Sequence, residues 1–177
     1  MVIELPEPCV VVLIGAAGAG KSTLAARHFA ASEILSSDAF RAMVSGAATD
    51  QRASRTAFSI LHRQLGKRLA AGRTSVIDAT NVSVYARRSV LRMAGATATP
   101  TPVVAIVLDL DPQLVLARNA GRAGRVVPEE AVRRQLEHLA RSAVPGVLAA
   151  EGFASVHRIR TADELDRVEI SRRQPPR

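Results

Sequence analysis

The feature that most constrains the fold is an apolar run that ends in a glycine-rich loop, CVVVLIGAAGAGKST over residues 9–23. The run is rich in β-branched residues and has no polar interruption, which is typical of a strand buried on both faces of a sheet. Residues 15–22 then satisfy the pattern G-x-x-x-x-G-K-[ST], and a helix is predicted over 21–32. A strand, a glycine-rich loop and a helix in this order predict a phosphate-binding loop, or P-loop.

Each residue type in this loop suits a phosphate chain. Glycines let backbone N–H groups point inward, and the helix N-terminus adds partial positive charge. We expect Lys21 to reach the terminal phosphates and the Ser22 hydroxyl to bind Mg²⁺. The predicted ligands are a nucleoside triphosphate, ATP, and Mg²⁺. The predicted binding segment is Gly15, Ala16, Ala17, Gly18, Ala19, Gly20, Lys21, Ser22 and Thr23.

The rest of the chain alternates predicted strands and helices. Further strands are predicted at 33–37, 74–79, 102–110 and 155–160. Helices are predicted from about 38, and over 51–72, 83–95, 112–120, 128–142 and 162–167. Such alternation implies right-handed crossovers and helices on both sheet faces. The predicted fold class is α/β, a P-loop NTPase three-layer sandwich with a mostly parallel sheet of about five strands. Residues 1–170 are predicted as one domain, and 171–177 as a tail or the start of a linker.

Composition and charge limit the number of domains, the class of partner and the cellular compartment. With 47% hydrophobic residues, the 177-residue chain can bury one core. The net charge of +8 favours an anionic partner, although a GC-rich genome would produce the same excess of arginine over lysine. The chain has one cysteine, Cys9, no secretory signal and no apolar stretch of ~18 residues, which predicts a cytoplasmic protein without a membrane partner.

The segment SSDAFR, residues 36–41, follows the second predicted strand and places Asp38 and Arg41 three residues apart. Phosphoryl transfer to an alcohol needs a carboxylate that accepts the hydroxyl proton, and cations that hold an anionic acceptor. On a helix that starts at Asp38, Arg41 lies one turn further along the same face. The same residues also suit a helix cap and a solvated ion pair, so the local sequence leaves both interpretations open.

Two other acidic segments follow predicted strands. Asp78 ends the strand at 74–79, where an acid can bind Mg²⁺ through water, although it also suits a strand end before a helix cap at Thr80 or Asn81. The segment VLDLDP, residues 107–112, resembles the nucleophile motif of aspartyl-phosphate phosphatases. The ~65 residues after it are too few for that domain, and Asp111 before Pro112 is typical of a helix N-cap.

Three arginines, Arg118, Arg122 and Arg125, precede a helix that carries both charge signs. One interpretation is a solvated helix face. The other is a helical lid over about 118–142, whose arginines reach the triphosphate, neutralise transition-state charge and help to exclude water.

Taken in order, these motifs resemble the P-loop kinase module of bacterial RNA-repair polynucleotide kinase-phosphatases and, more distantly, the bacteriophage 5′-hydroxyl polynucleotide kinase. The resemblance covers most of residues 9–160. It is carried by GAAGAGKST, SSDAFRAMVSG, DQ, AFSILHRQLGKRLAAGRTSVIDATNVSVYARR and RNAGRAGR.

This resemblance implies transfer of the ATP γ-phosphate to a 5′-hydroxyl end of RNA or DNA, in nucleic-acid repair. It implies Asp38 as the general base, Arg41 on a phosphate of the acceptor, and Lys21 and Ser22 on the phosphates and Mg²⁺. Arg122 and Arg125 fall in the lid of the family, and Asp78, Asn81 and Arg118 are further implied site residues.

The sequence does not identify the acceptor of the phosphate group. The repair enzymes continue into phosphatase and ligase-like domains, so we expect either a stand-alone kinase or an excised domain. Two other function classes remain: a P-loop kinase of a small alcohol, such as a sugar, nucleoside or drug, and a regulatory ATPase without an alcohol acceptor. With four phenylalanines and one tyrosine, a nucleic acid would be held mainly by arginine–phosphate contacts, with weak sequence preference.

Overall fold

The computed structural model describes residues 1–46, 53–123 and 125–173. The strands are β1 Val2–Pro6, β2 Val10–Ile14, β3 Ile34–Ser36, β4 Ser75–Asp78, β5 Val103–Leu108, β6 Ser155–Ile159 and β7 Glu169–Arg173. The helices are α1 Lys21–His28, α2 Ser37–Ser45, α3 Ser54–Ala70, α4 Val84–Gly95, α5 Pro112–Ala120, α6 Glu129–Ser142, α7 Pro145–Glu151 and α8 Ala162–Arg167. The DQ motif at 50–51 and Gly124 lie outside the described residues.

Strands β2 to β6 form one parallel sheet in the order β3-β4-β2-β5-β6. All five residues of β2 are buried, because helices cover both faces of the sheet. Val11 and Leu13 pack in the layer that contains α1 and α5, whereas Val10, Val12 and Ile14 pack in the layer that contains α3 and α4. The predicted α/β sandwich with a parallel five-stranded sheet is therefore confirmed.

A second sheet pairs the two ends of the described chain, which the sequence patterns did not predict. Strands β1 and β7 are parallel, in a register from Val2 with Glu169 to Pro6 with Arg173. Residues 171–173 were expected in a tail, and that expectation is wrong because they complete β7. The side chains of 171–173 are polar and exposed, so the strand depends on backbone pairing with a distant segment rather than on an apolar pattern. Residues 174–177 lie outside the description.

The acids of VLDLDP have structural roles. Asp111 is the N-cap of α5, its Oδ1 accepting a hydrogen bond from the Leu114 backbone N–H at 3.0 Å, with Pro112 in the first turn. This confirms the predicted cap. Asp109 pairs with Arg158 of β6 at 2.5 Å. Among the described residues, no helix has both the length and the apolar character needed to cross a membrane.

A buried arginine ties the segment after β4 to the end of α6 and to α7. Arg87 of α4 has no exposed surface, and its guanidinium binds both carboxylate oxygens of Glu151 at 2.8 and 2.6 Å. It also donates to the backbone carbonyls of Asn81, Val82 and Ser142 at 3.0, 2.9 and 2.9 Å. These contacts fix the path of the chain just beyond Asp78.

We expect Arg87→Ala to lower the free energy of unfolding by about 3 to 5 kcal/mol, because Glu151 would remain buried without its partner. Urea unfolding followed by circular dichroism measures the change. The neighbouring Arg88, which is exposed, provides the matched control, and Arg88→Ala should leave stability almost unchanged. Equal stability of the two variants would show that the buried ion pair does not stabilise this part of the fold.

Candidate active site

The carboxyl ends of β2, β3 and β4 meet at one edge of the sheet. The register pairs Leu13 with Asp78, and Asp78 with Ser36, so the P-loop, Asp78 and the start of α2 are neighbours. Ligands of open parallel sheets bind at this edge. A cavity of about 510 Å³ opens there. The predicted residues that line it are Ala17, Gly18, Gly20, Lys21, Ser22, Thr23, Asp38, Arg41, Asp78, Arg118, Arg122 and Arg125.

The conformation of the P-loop depends on its glycines. Gly18 and Gly20 have φ values of 90° and 97°, in the left-handed region where side chains other than hydrogen are strained. A Cβ on Gly18 would also lie 2.4 Å from the Val115 carbonyl oxygen of α5. At the start of the loop, the Gly15 N–H donates to the Thr80 carbonyl at 2.9 Å. The remaining predicted loop residues, Gly15, Ala16 and Ala19, are buried beneath the cavity.

Lys21 is held inside the loop. Its Nζ donates to the carbonyl oxygens of Gly15 and Ala16 at 2.9 and 2.8 Å, and the residue is 8% exposed. Burial lowers the pKa of Lys21 to about 8; the Asp78 carboxylate opposes this shift and the nearby Arg122 adds to it. The ammonium group is therefore poised to gain stability from an anionic ligand.

Ser22 and Asp78 form a pair of oxygen ligands. The Ser22 hydroxyl donates to Asp78 Oδ2 at 2.8 Å, across the boundary between the P-loop helix and β4. Within the described residues, no group of three or more His, Cys, Asp or Glu side chains could hold a metal ion. Mg²⁺ usually keeps several waters and binds one or two protein oxygens together with phosphates, so this pair fits Mg²⁺ carried by a nucleotide.

Asp38 does not cap its helix. Helix α2 starts at Ser37, and the cap is Ser36, whose Oγ accepts from the Ala39 N–H at 3.4 Å. The Asp38 carboxylate instead pairs with two guanidinium groups, of Arg41 and Arg125. Arg41 is 6% exposed, and burial lowers its pKa. The tertiary structure thus leaves the Asp38 carboxylate at the cavity rather than in a local capping bond.

The arginine segment after α5 also reaches the cavity. Arg118 lies in the last turn of α5, and Arg122 follows it closely enough to lower the pKa of Lys21. From α6, Gln135 accepts a hydrogen bond at 2.8 Å from the Ala17 N–H of the P-loop. The segment expected to form a lid therefore touches both the P-loop, through Gln135, and α2, through Arg125.

Comparison with known proteins places this geometry in a family. A family model described as an AAA domain, AAA_33, matches residues 10–145. The chain belongs to the AAA_33 family. The chain therefore has a P-loop kinase-type fold, and the matched residues include the P-loop, α2 and the arginine segment that line the cavity. None of the curated proteins matches the sequence.

Several solved structures have a similar fold. A sugar kinase from Janibacter sp. HTCC2649 is 20% identical with a TM-score of 0.58, over 86% of this chain and 85% of that one. A gluconokinase from Sinorhizobium meliloti 1021 is 19% identical with a TM-score of 0.53, over 92% and 87%. A chain of the Pnkp1/Rnl/Hen1 RNA repair complex is 22% identical with a TM-score of 0.64, over 77% of this chain and 45% of that one. At these identities the likeness is one of fold.

Some residues that line the cavity were not predicted from the sequence. Gln135, Phe58 and Asp166 line the cavity, but each lies in a helix whose local pattern explains it as an ordinary amphipathic position. Asn81, implied by the family resemblance, has a structural role instead. Its φ is 49°, and its side-chain amide donates to the Leu13 and Ala79 carbonyls at 2.7 and 3.2 Å, so it links β4 to β2.

We expect the affinity for a nucleoside triphosphate to fall as the pH rises above 8, because the phosphates bind the charged form of Lys21 and the free protein loses that proton with a pKa of about 8. Between about pH 7 and about pH 9.5 the limit is roughly a 30-fold loss. Calorimetric titration at several pH values measures it.

Lys21→Arg is the control, since arginine stays charged across this range. Its affinity should be lower than that of the parent and nearly independent of pH. A parallel decline in both proteins would mean that another group causes the pH dependence.

Proposed function

We propose that this protein transfers the γ-phosphate of ATP, in the presence of Mg²⁺, to the 5′-hydroxyl end of RNA or DNA. The observation that carries the proposal is the buried Arg41 beside Asp38, on the α2 side of the cavity. A nucleotide already has Lys21, Arg118 and Arg122 for its phosphates. A further buried cation next to a carboxylate base suits an acceptor that carries its own negative charge close to its hydroxyl.

The charge balance of the cavity supports an anionic acceptor. Among the described residues, five cations line it, Lys21, Arg41, Arg118, Arg122 and Arg125, against three carboxylates, Asp38, Asp78 and Asp166. A nucleoside 3′-phosphate unit at the 5′ end of a strand places a phosphate next to the reactive hydroxyl. Arg41 would bind that phosphate, and a polynucleotide kinase is represented among the solved structures by the Pnkp1 repair complex.

In the proposed reaction, Asp38 accepts the proton of the 5′-hydroxyl as its oxygen attacks the γ-phosphorus of ATP. The bond between the γ-phosphorus and the β–γ bridging oxygen breaks, and ADP leaves. Lys21 and Arg122 stabilise the charge on the transferred phosphoryl group. Mg²⁺ held by Ser22 and, through water, by Asp78 would supply further neutralisation of the phosphates.

Arg125 has two roles in this scheme. A carboxylate paired with two guanidinium groups is a weak proton acceptor, so one of the pairs must open before transfer. Arg125 belongs to the segment that also carries Arg118 and Arg122. Its movement from Asp38 to the triphosphate would free the base only when the nucleotide is bound.

A kinase of a small acidic alcohol is the second candidate, because Arg41 also suits a carboxylate. The gluconokinase with the same fold makes a sugar acid the natural comparison. Transfer from γ-labelled ATP should be compared for 5′-hydroxyl oligonucleotides, mononucleoside 3′-phosphates, gluconate and neutral sugars. Transfer to gluconate or a sugar but to no nucleotide acceptor would refute the polynucleotide proposal.

We expect Asp38→Asn to reduce phosphate transfer by about 10² to 10⁴, because the amide cannot accept the hydroxyl proton. Binding of ATP should not weaken, since Asp38 lies on α2 and not in the P-loop, and loss of its charge releases Arg125 for the triphosphate. Single-turnover transfer and calorimetry measure the two quantities. Near-normal turnover in this variant would show that Asp38 only orders α2 and its arginine partners.

We expect Arg41→Ala to weaken acceptors with a 3′-phosphate at the first nucleoside more than acceptors without one. An Arg–phosphate contact of this kind is typically worth about 1.5 to 3 kcal/mol, or roughly 10- to 100-fold in kcat/KM. The two acceptors are compared in parent and variant under the same salt concentration. Equal losses for both acceptors would refute the phosphate contact.

A further inference from the structure

Helices α3 and α4 present an unusual surface for a chain with 16 acidic residues. Neither helix contains an aspartate or a glutamate. Their exposed positions instead carry five cations and one tyrosine. This α3–α4 face consists of Arg55, Arg63, Lys67, Tyr85, Arg88 and Arg92.

In two other arginine-rich helices, α6 and α8, the arginines pair with acids of the same helix. In α6, Arg133, Arg134 and Arg141 each pair with a glutamate four residues earlier, at 2.6, 2.9 and 3.1 Å. Arg167 of α8 pairs with Asp163 in the same manner at 2.9 Å. Within the described residues, the cations of the α3–α4 face have no ion pair. The arginines of α3 and α4 therefore differ from those of α6 and α8 in having no acid on their own helix.

Helix electrostatics favour Lys67 and Arg92, which lie in the last turns of α3 and α4, but do not account for the other three cations of the face. Arg55 lies in the first turn of α3, where the helix dipole disfavours a cation. Arg63 and Arg88 lie within their helices, away from the last turn in which a cation is favoured. Like charges that repel one another on an exposed surface are stabilised by an anionic ligand.

The two helices form one continuous surface. His62 of α3 contacts Ser89 of α4, with 3.5 Å between the imidazole Nε2 and the hydroxyl. One turn further on, a Cβ on Gly66 would lie 3.7 Å from Met93 Cε, so the helices run side by side in parallel. The same offset places Tyr85 level with Phe58. Tyr85 is 79% exposed.

The α3–α4 face begins at the active site. Phe58, in the second turn of α3, lines the cavity, and Arg55 lies one turn before it. From Arg55 to Lys67 the helix rises about 18 Å, which is long enough to contact more than one phosphate of a strand. The cationic face is therefore long enough to follow a strand whose end lies in the cavity.

We propose that the α3–α4 face binds the phosphate backbone of single-stranded nucleic acid beyond the end that enters the cavity. This inference rests on the proposed function, because it supplies the path of the acceptor strand. Arg63, Arg88 and their neighbours contact phosphates, and Tyr85 stacks on a base near the cavity mouth. The binding has little sequence preference, since phosphates carry no base information.

An anionic membrane is the less suitable occupant. Interfacial helices insert an apolar face among lipids. The apolar residues of α3 and α4, among them Leu61, Leu65 and Val90, are buried against the sheet. The exposed face has a single aromatic side chain, which is enough for one stacked base.

The test compares two double variants with the same change in net charge. Arg63→Ala with Arg88→Ala removes two cations from the α3–α4 face. Arg141→Ala with Arg167→Ala removes two exposed, acid-paired arginines from elsewhere. Alanine is a strong helix former, so both proteins should fold, and thermal unfolding verifies it.

Binding is measured by fluorescence anisotropy with a 5′-phosphorylated single strand of about 20 nucleotides, as RNA and as DNA, over a range of salt concentrations. The face variant should lose about 20-fold in affinity at ~0.1 M salt, and its slope of log K against log salt should be shallower by about 1.4, or ~0.7 for each lost phosphate contact. The control should match the parent. Equal affinity and equal slope in the two variants would overturn the proposal.

Kinetics separate this inference from the proposed function. The face variant should lose kcat/KM for the long acceptor by a similar factor and keep that for a mononucleoside 3′-phosphate. If the parent phosphorylates no nucleotide acceptor, the proposed function fails and the α3–α4 face is judged on the anisotropy result alone. Loss of binding to phosphatidylserine vesicles with unchanged oligonucleotide binding would also overturn it.

Discussion

Parallel pairing of β4 with both β2 and β3 is the constraint on which the site depends. The shared register brings Leu13, Asp78 and Ser36 to the same level of the sheet, and the P-loop and α2 start immediately beyond. Because the strands are parallel, the three chain segments that follow them leave from one edge. The P-loop, Asp78 and Asp38, which are far apart in sequence, thus converge at this edge.

Buried charges connect this edge to the surrounding helices. Lys21, Arg41 and Arg87 are all less than a tenth exposed, but they have different environments. Arg87 has a full set of partners in Glu151 and backbone carbonyls, so it stabilises the fold. Among the described residues, Lys21 Nζ donates its hydrogen bonds to carbonyl oxygens of its own loop. Burial of the ammonium group lowers the pKa of Lys21. A site that holds a buried ammonium group among carbonyl oxygens in this way is prepared for an anionic ligand.

The segment after α5 couples the two halves of the cavity. Gln135 accepts a hydrogen bond from a P-loop N–H, and Arg125 pairs with Asp38 on α2. Both contacts use groups that a bound triphosphate would compete for. In the proposed reaction, nucleotide binding and release of the Asp38 carboxylate from Arg125 would therefore be linked through one segment.

The sequence by itself determined the P-loop and the parallel α/β sheet. Their signals are local: Gly18 and Gly20 permit left-handed backbone, and the apolar run of β2 requires burial on both faces. Most candidate site residues could be named for the same reason, as they follow predicted strands. Only the tertiary structure decided which groups they contact, because these contacts join distant segments of the chain.

Asp38 illustrates this division. Its sequence context fitted a helix cap and a reactive carboxylate equally well, and the structure assigned the cap to Ser36 and placed Arg125, distant in sequence, on the Asp38 carboxylate. The pairing of β1 with β7, the Gln135 contact and the Arg87–Glu151 pair likewise join segments far apart in the chain. The periodicity of apolar residues predicts which side chains are buried. It does not predict which group a buried polar side chain contacts, and its role depends on that contact.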